Sequence, residues 1–310
     1  MKLTQAVVAF SIFLGVAVIS GYLARSGSDD AEGTIRIDGR ERTYTWHVPR
    51  GYEQKQPVPL LLALHGRLGT GSAEERLAHL DKVSDAHGFL VVYPNGLDRS
   101  WADGRGGTPS DRNSVNDLNF LSALIDKLKS EYNVDRSRIY ATGMSNGGFM
   151  SGLLACERSD RIAAVAIVGA SLSETAAANC HPAKAISVMI VQGTEDPLVP
   201  LSGGALGRNG ARGVVLSHEA AVQRFVQADH CAGKPAKQHV VDKAGDGTTI
   251  DVETYDSCDD GSEVRGYVVN GGGHTWPGGM QYLPAMIVGK TTHNLDGSEV
   301  IWEFLSSHTR

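Results

Sequence analysis

Residues 143–147 read Gly-Met-Ser-Asn-Gly and place Ser145 between two glycines, at the junction of a short strand expected over 138–142 (RIYAT) and a helical pattern over 147–156. A serine hydroxyl is a weak nucleophile near neutral pH. It attacks a carbonyl only with a base in hydrogen-bond reach, and that base needs a third group to hold its orientation. The pentapeptide is short enough to arise by chance as an ordinary flexible turn, so its position carries the weight. A sharp strand-to-helix elbow that exposes a serine leaves no room for Cβ atoms beside it, which is what flanking glycines supply. Candidate partners follow downstream. The sequence Gly193-Thr194-Glu195-Asp196-Pro197 closes the apolar run 186–191 and offers two acids. Asp196 is preferred, because Asp-Pro favours a turn that presents a short carboxylate, and Glu195 is the second candidate. Among the histidines after Asp196, only His274, preceded by Gly271, Gly272 and Gly273, lies just past an apolar run, at 264–269.

Acyl transfer also requires donors aimed at a developing oxyanion. One is the backbone N–H of Asn146, the residue after the serine. The other falls in the loop that begins Leu64-His65-Gly66, with the N–H of Arg67 first and that of Gly66 next. His65 reads as an orienting residue rather than a base.

The elements that must carry these groups alternate between two periodicities, the mark of βα units and a mostly parallel central sheet flanked by helices. Residues 33–38 and 43–49 suggest a leading hairpin. Runs at 59–64, 88–93, 162–168 and 186–191 are continuously apolar, as expected for strands covered on both faces. Helical spacing occupies 115–132, and a last helix is expected over 298–308. Residues 201–213 and 276–294 read as loops, the second partly apolar and near the site.

The length of 310 residues suits one catalytic domain, taken as 33–310, after a segment 1–32. Residues 6–24 carry no charge and follow Lys2, which reads as an export signal or a retained anchor ahead of a Ser/Gly/Asp linker. The membrane is expected as a partner only through that segment if uncleaved. With 29 Lys and Arg against 35 Asp and Glu, the net charge of −6 gives no electrostatic footprint for nucleic acid. None of the four cysteines has the Cys-x-x-Cys spacing of a metal or redox site. Local pairs, Cys156 with Cys180 and Cys231 with Cys258, are favoured among three connectivities, with four free thiols as the alternative. No metal or organic cofactor is implied.

With these residues placed, the chain resembles the bacterial esterases of the α/β-hydrolase fold that include polyhydroxybutyrate depolymerases and feruloyl esterases. The carriers are LLALHG at 61–66, VVYPNG at 91–96 with Trp101, YATGMSNGGFM at 140–150, GTEDPLVP at 193–200 and GGGHTWPG at 272–279. The resemblance implies Ser145 as nucleophile, Asp196 as acid and His274 as base, acting on hydroxyacid or hydroxycinnamoyl esters; the N-terminal segment and the cysteines point to an extracytoplasmic, secreted or periplasmic setting. It also implies that Trp101 and Trp276 line the acyl-binding groove, against the alternative that they fill the core. The chain departs from the family at Asn116-Asp117, read as helix-start scaffold, and at Arg67, where polymer-degrading members often carry Cys. It also lacks a separate polymer-binding module, which favours soluble esters or oligomers. A peptidase of the same fold and a non-catalytic homologue are the rival readings.

Overall fold

A computed structural model describes residues 31–310; the apolar run at 6–24 lies outside the described residues. The N-terminal half holds β1 (Ala31–Ile37), β2 (Arg40–His47), β3 (Val58–Leu64), α1 (Gly71–Ala78), α2 (Leu80–His87), β4 (Leu90–Pro94), α3 (Pro109–Arg112), α4 (Asp117–Glu131) and β5 (Val134–Met144). There follow α5 (Asn146–Glu157), β6 (Ala164–Val168), α6 (Glu174–Ala178), β7 (Ser187–Gly193), β8 (Gly204–Ala205), β9 (Val214–Val215) and α7 (His218–Ala228). The chain closes with β10 (Ala236–Val240), β11 (Thr249–Tyr255), β12 (Val264–Asn270), α8 (Ala285–Val288) and α9 (Gly297–Ser306).

Ten strands form one sheet in the order β1-β2-β4-β3-β5-β6-β7-β12-β11-β10. The six central strands, from β4 to β12, are parallel, and antiparallel pairs flank them on both sides. The parallel core was legible because its strands are apolar on both faces. In β3, Leu60, Leu62 and Leu64 join the side chains of α4, α5 and α7, whereas Leu61 and Ala63 join those of α1, α2 and α9. Each such leucine, fully removed from water, contributes about 1.5–3 kcal/mol.

Several boundaries differ from expectation. The first strand begins at Ala31, ahead of the expected domain start at 33, and β5 runs from 134 to 144 rather than 138–142. Strands β10 and β11 were not anticipated. β10 (AKQHV) is an exposed edge strand with no apolar stripe to betray it. Two disulfides join Cys156 to Cys180 and Cys231 to Cys258. Each ties the end of a helix, α5 or α7, to a following loop and contributes about 3 kcal/mol in the chain-entropy account.

Glu74 in α1 is 2% exposed, and its Oε1 has no hydrogen-bond partner. Burial pushes this carboxyl up to about 8, against 4.5 for the ordinary group. Between those two values the unfolded chain has lost a proton that the folded chain keeps. Stability is therefore fully present below about 4.5 and falls as the pH rises toward 8. Glu74→Gln should remove this loss. Urea unfolding should show the variant gaining on the parent by up to a few kcal/mol between about pH 5 and pH 8, whereas parallel pH profiles would contradict the assignment.

Candidate active site

Ser145 occupies the turn between β5 and α5 with φ 57° and ψ −117°, a left-handed backbone that side chains rarely adopt. The neighbouring chain enforces it. A Cβ on Gly143 would come within 2.5 Å of the Leu64 carbonyl oxygen, and one on Gly147 would collide with the same carbonyl. The elbow is thus pressed against the end of β3, and Ser145 N donates to Val168 O at 2.8 Å at the end of β6. Ser145 itself is only partly buried.

His274 follows β12 and is 2% exposed. Its Nδ1 lies 2.7 Å from Asp196 Oδ2, while Asp196 Oδ1 accepts the N–H groups of Leu198 and Val199, both at 2.8 Å. The Asp-Pro turn after β7 therefore anchors one carboxylate oxygen and leaves the other for the imidazole. Glu195 is exposed and makes no side-chain bond to His274 among the described residues. The ring rests over the turn at Gly169, where a Cβ would lie 3.3 Å from His274 Nδ1. Since Gly169 adjoins the Val168 carbonyl that holds Ser145, serine and histidine share one border at the carboxyl end of the sheet. Tyr282 donates its hydroxyl to His274 O at 3.0 Å; burial and then the charge of Asp196 push that phenol up to about 12.

The loop after β3 runs beside the serine. A Cβ on Gly66 would be 3.5 Å from Ser145 Cβ, and Gly69 N donates to Gly66 O at 2.9 Å, closing a turn over Arg67 and Leu68. His65 sets the turn's position. Gly96 N donates to its Nε2 at 3.0 Å, so the ring proton sits on Nδ1 and is donated to Gly66 O at 2.8 Å. Burial lowers this imidazole to about 4, keeping it neutral at physiological pH. The arrangement suits an orienting residue. Arg67 is exposed, with its backbone in the turn.

The expectation that Trp101 and Trp276 border a substrate groove requires correction. Both are buried, at 0% and 1% exposure, and have no surface to offer a ligand. They are structural, for reasons of long-range bonding. Trp101 Nε1 donates to His65 O at 2.9 Å, and its own N–H donates to Asn146 Oδ1 at 2.8 Å. Asn146 Nδ2 returns a bond to Trp101 O and another to Asp103 Oδ2, at 3.1 and 2.5 Å. Trp101, through its indole and its backbone, thus couples the loop of Arg67 to the residue after Ser145. Trp276 Nε1 donates to Ser298 Oγ at 3.0 Å, and Ser298 Oγ donates to Ala78 O, fixing the loop after His274 to α9 and α1.

Sequence reasoning also missed what Asp117 does. Besides starting α4, it forms a fully buried pair with Arg42 at 2.6 Å and accepts Ala102 N at 2.7 Å. Burial raises its carboxyl and the Arg42 charge opposes that rise. Nothing local in the sequence announces a partner 75 residues away.

Comparison with known proteins agrees with this geometry. Residues 82–175, which include the elbow, match the prolyl oligopeptidase family. NocK of Nocardia uniformis subsp. tsuyamanensis, a protein assigned as an esterase, is 32% identical over 289 residues, covering 89% of this chain and 83% of its own. Feruloyl esterase D of Neurospora crassa is 27% identical over 256 residues, covering 78% and 76%. The solved acetyl xylan esterase of Aspergillus awamori superposes with a TM-score of 0.57 at 15% identity, over 79% of this chain and 94% of that one, which shows a shared fold. A strained serine elbow on a parallel sheet, an imidazole held by an Asp after β7 and a relative matched along most of its length lead to one assignment: the chain belongs to the family of α/β-hydrolase-fold esterases that includes the feruloyl esterases.

Proposed function

We propose that the protein is a serine esterase that hydrolyses carboxylic esters through an acyl-enzyme, with Ser145, His274 and Asp196 as its triad. The observation that carries the reading is the His274 Nδ1 to Asp196 Oδ2 bond of 2.7 Å, with the other Asp196 oxygen already occupied by two backbone amides. A proton held on Nδ1 by the carboxylate leaves Nε2 as the basic nitrogen. Nε2 takes the proton of Ser145 as its oxygen adds to the ester carbonyl, then returns it to the departing alcohol. A water molecule repeats the sequence on the acyl-enzyme and releases the acid. The N–H groups of Asn146, at the start of α5, and Arg67 receive the negative oxygen of each tetrahedral intermediate. The first N–H groups of a helix have no acceptor within the helix, which suits Asn146 to the task.

As substrate we assign hydroxycinnamoyl esters of plant polysaccharide. Relatives named as feruloyl esterases support this. So does the loop after His274, which carries Met280, Tyr282, Leu283, Met286 and Ile287 as exposed large hydrophobic side chains beside the site. An apolar lip of this kind would favour a flat acyl group over a charged peptide. The two disulfides support an extracytoplasmic location, consistent with an export signal in residues 6–24.

Variants and substrate comparisons check the account. Ser145→Ala should abolish hydrolysis of methyl ferulate, by roughly 10⁶ in kcat, with an unchanged circular dichroism spectrum; retained activity would refute the nucleophile. Asp196→Asn should lose on the order of 10⁴ in kcat while Glu195→Gln stays near the parent; the reverse pattern would move the acid by one residue. Trp101→Phe, which removes the bond to His65 O and part of the buried indole's packing, should lower kcat for p-nitrophenyl acetate and methyl ferulate by the same factor, about 10-fold or more. A loss confined to the bulky ester would restore Trp101 to the groove. Methyl ferulate should also be turned over faster than methyl 3-hydroxybutyrate, which is likewise uncharged, and a peptide anilide should be inert.

A further inference from the structure

The loop after His274 carries exposed apolar side chains, and the turn beside Ser145 carries an exposed arginine. Arg67 stands in the turn beside Ser145 and is exposed, as are Arg112 and Arg212. The segments that carry the remaining arginines converge from distant parts of the sequence. The backbone of Arg212 packs against Gly107, and Gly213 packs against the backbone of Arg105, so closely that a Cβ on Gly107 would collide with Arg212 and one on Gly213 would lie 2.8 Å from Arg105 O. Arg112 Nη1 donates to Gly107 O at 3.1 Å. Arg105 is tied to Asp103 at 2.7 Å, which holds Asn146, and its guanidinium lies 3.9 Å over the Phe149 ring in α5. The loop of Arg105 is therefore two hydrogen bonds from the residue after the nucleophile.

The charge balance of this rim is unequal. The segments of this rim carry Asp103, committed to Arg105 and Asn146, Asp111, whose oxygens accept Gly104 N, Thr108 N and the Thr108 hydroxyl, and Asp98, which accepts Asn113 Nδ2 at 2.8 Å. Arg67, Arg112 and Arg212 reach no carboxylate within ion-pair distance among the described residues. The Arg67 guanidinium is lowered from its ordinary value, first by partial burial and then by the like charges of Arg212, Arg112 and Arg105. Clustered like charges with no structural partner cost stability, and a protein of net charge −6 gives them no general role in solubility. An anion brought by the substrate would relieve them.

We infer that the rim formed by Arg67, Arg112 and Arg212 selects esters that carry a carboxylate close to the scissile bond, on either the acyl or the alcohol part. This rests on the esterase reading and adds a charge requirement to it. A uronate beside the ester of a polysaccharide and the free end of a hydroxyacid oligomer present the same group. In each case the guanidiniums would hold the carboxylate while Ser145 attacks its neighbour. Arg67 supplies a backbone donor to the oxyanion turn and a side-chain charge to the rim.

The test compares two esters of matched length, p-nitrophenyl butyrate and mono-p-nitrophenyl succinate, which differ by a terminal methyl against a carboxylate. The full chain should favour the succinate in kcat/KM by about tenfold after correction for the spontaneous rate. Raising NaCl to about 0.5 M should shrink that preference severalfold, since exposed charges are screened. Arg212→Gln should reduce the ratio about fivefold, Arg112→Gln should reduce it in the same direction, and Arg212→Lys should restore most of it. A ratio near one, or a ratio untouched by salt and by both glutamine variants, would overturn the inference and leave the esterase reading standing. Hydrolysis of neither ester would overturn both. If the carboxylate is preferred, a feruloyl ester of a free uronate and a hydroxybutyrate dimer as competitors distinguish which source binds more tightly.

Discussion

The close approach of the elbow to the end of β3 governs the site. Gly143 and Gly147 lie so near the Leu64 carbonyl that no side chain fits at either position. This contact forces Ser145 into its left-handed backbone and brings the loop of His65, Gly66 and Arg67 alongside it. Strain at one residue, of order 1–3 kcal/mol, persists only where surrounding structure over-determines it. Here the over-determination comes from β3, β6 and α5 together. The parallel sheet is therefore the frame of the site, and its buried leucines and valines provide the stability that tolerates the strain.

A second layer of polar bonds converts that frame into fixed directions. His65, Trp101 and Asn146 form a continuous set of hydrogen bonds that links the loop after β3 to the start of α5. Asp117 and Arg42 hold the segment after Trp101 from below. Breaking a buried pair of this kind by removing one partner costs about 3–5 kcal/mol, because it leaves an uncompensated charge. The orientation of the two proposed oxyanion donors thus depends on residues that touch no substrate.

Much of this was legible in the sequence, for identifiable reasons. Ser145, Asp196 and His274 each sit in a short glycine- or proline-bearing turn at the end of an apolar run, so local residue types disclose both the bend and its place in the sheet. The roles of Trp101, Trp276, Asp117 and Asn146's side chain were not legible in the same way. An aromatic residue close in sequence to a catalytic one can point toward the ligand or away from it, and only the layer it packs against decides. Trp276 is taken up between α1 and α9, and Trp101 between two loops. Strand β10 escaped because an exposed edge strand needs only backbone pairing with β11 and carries no apolar alternation.

The central claim is that one serine, activated by the folded site, forms the covalent intermediate. Peptide mapping after brief exposure to a fluorophosphonate tests it most directly, since the reagent phosphonylates only an activated serine. The account predicts one adduct per chain, on Ser145, absent from urea-unfolded protein and strongly slowed in Asp196→Asn. Labelling on another residue, or equal labelling of folded and unfolded chains, would contradict it.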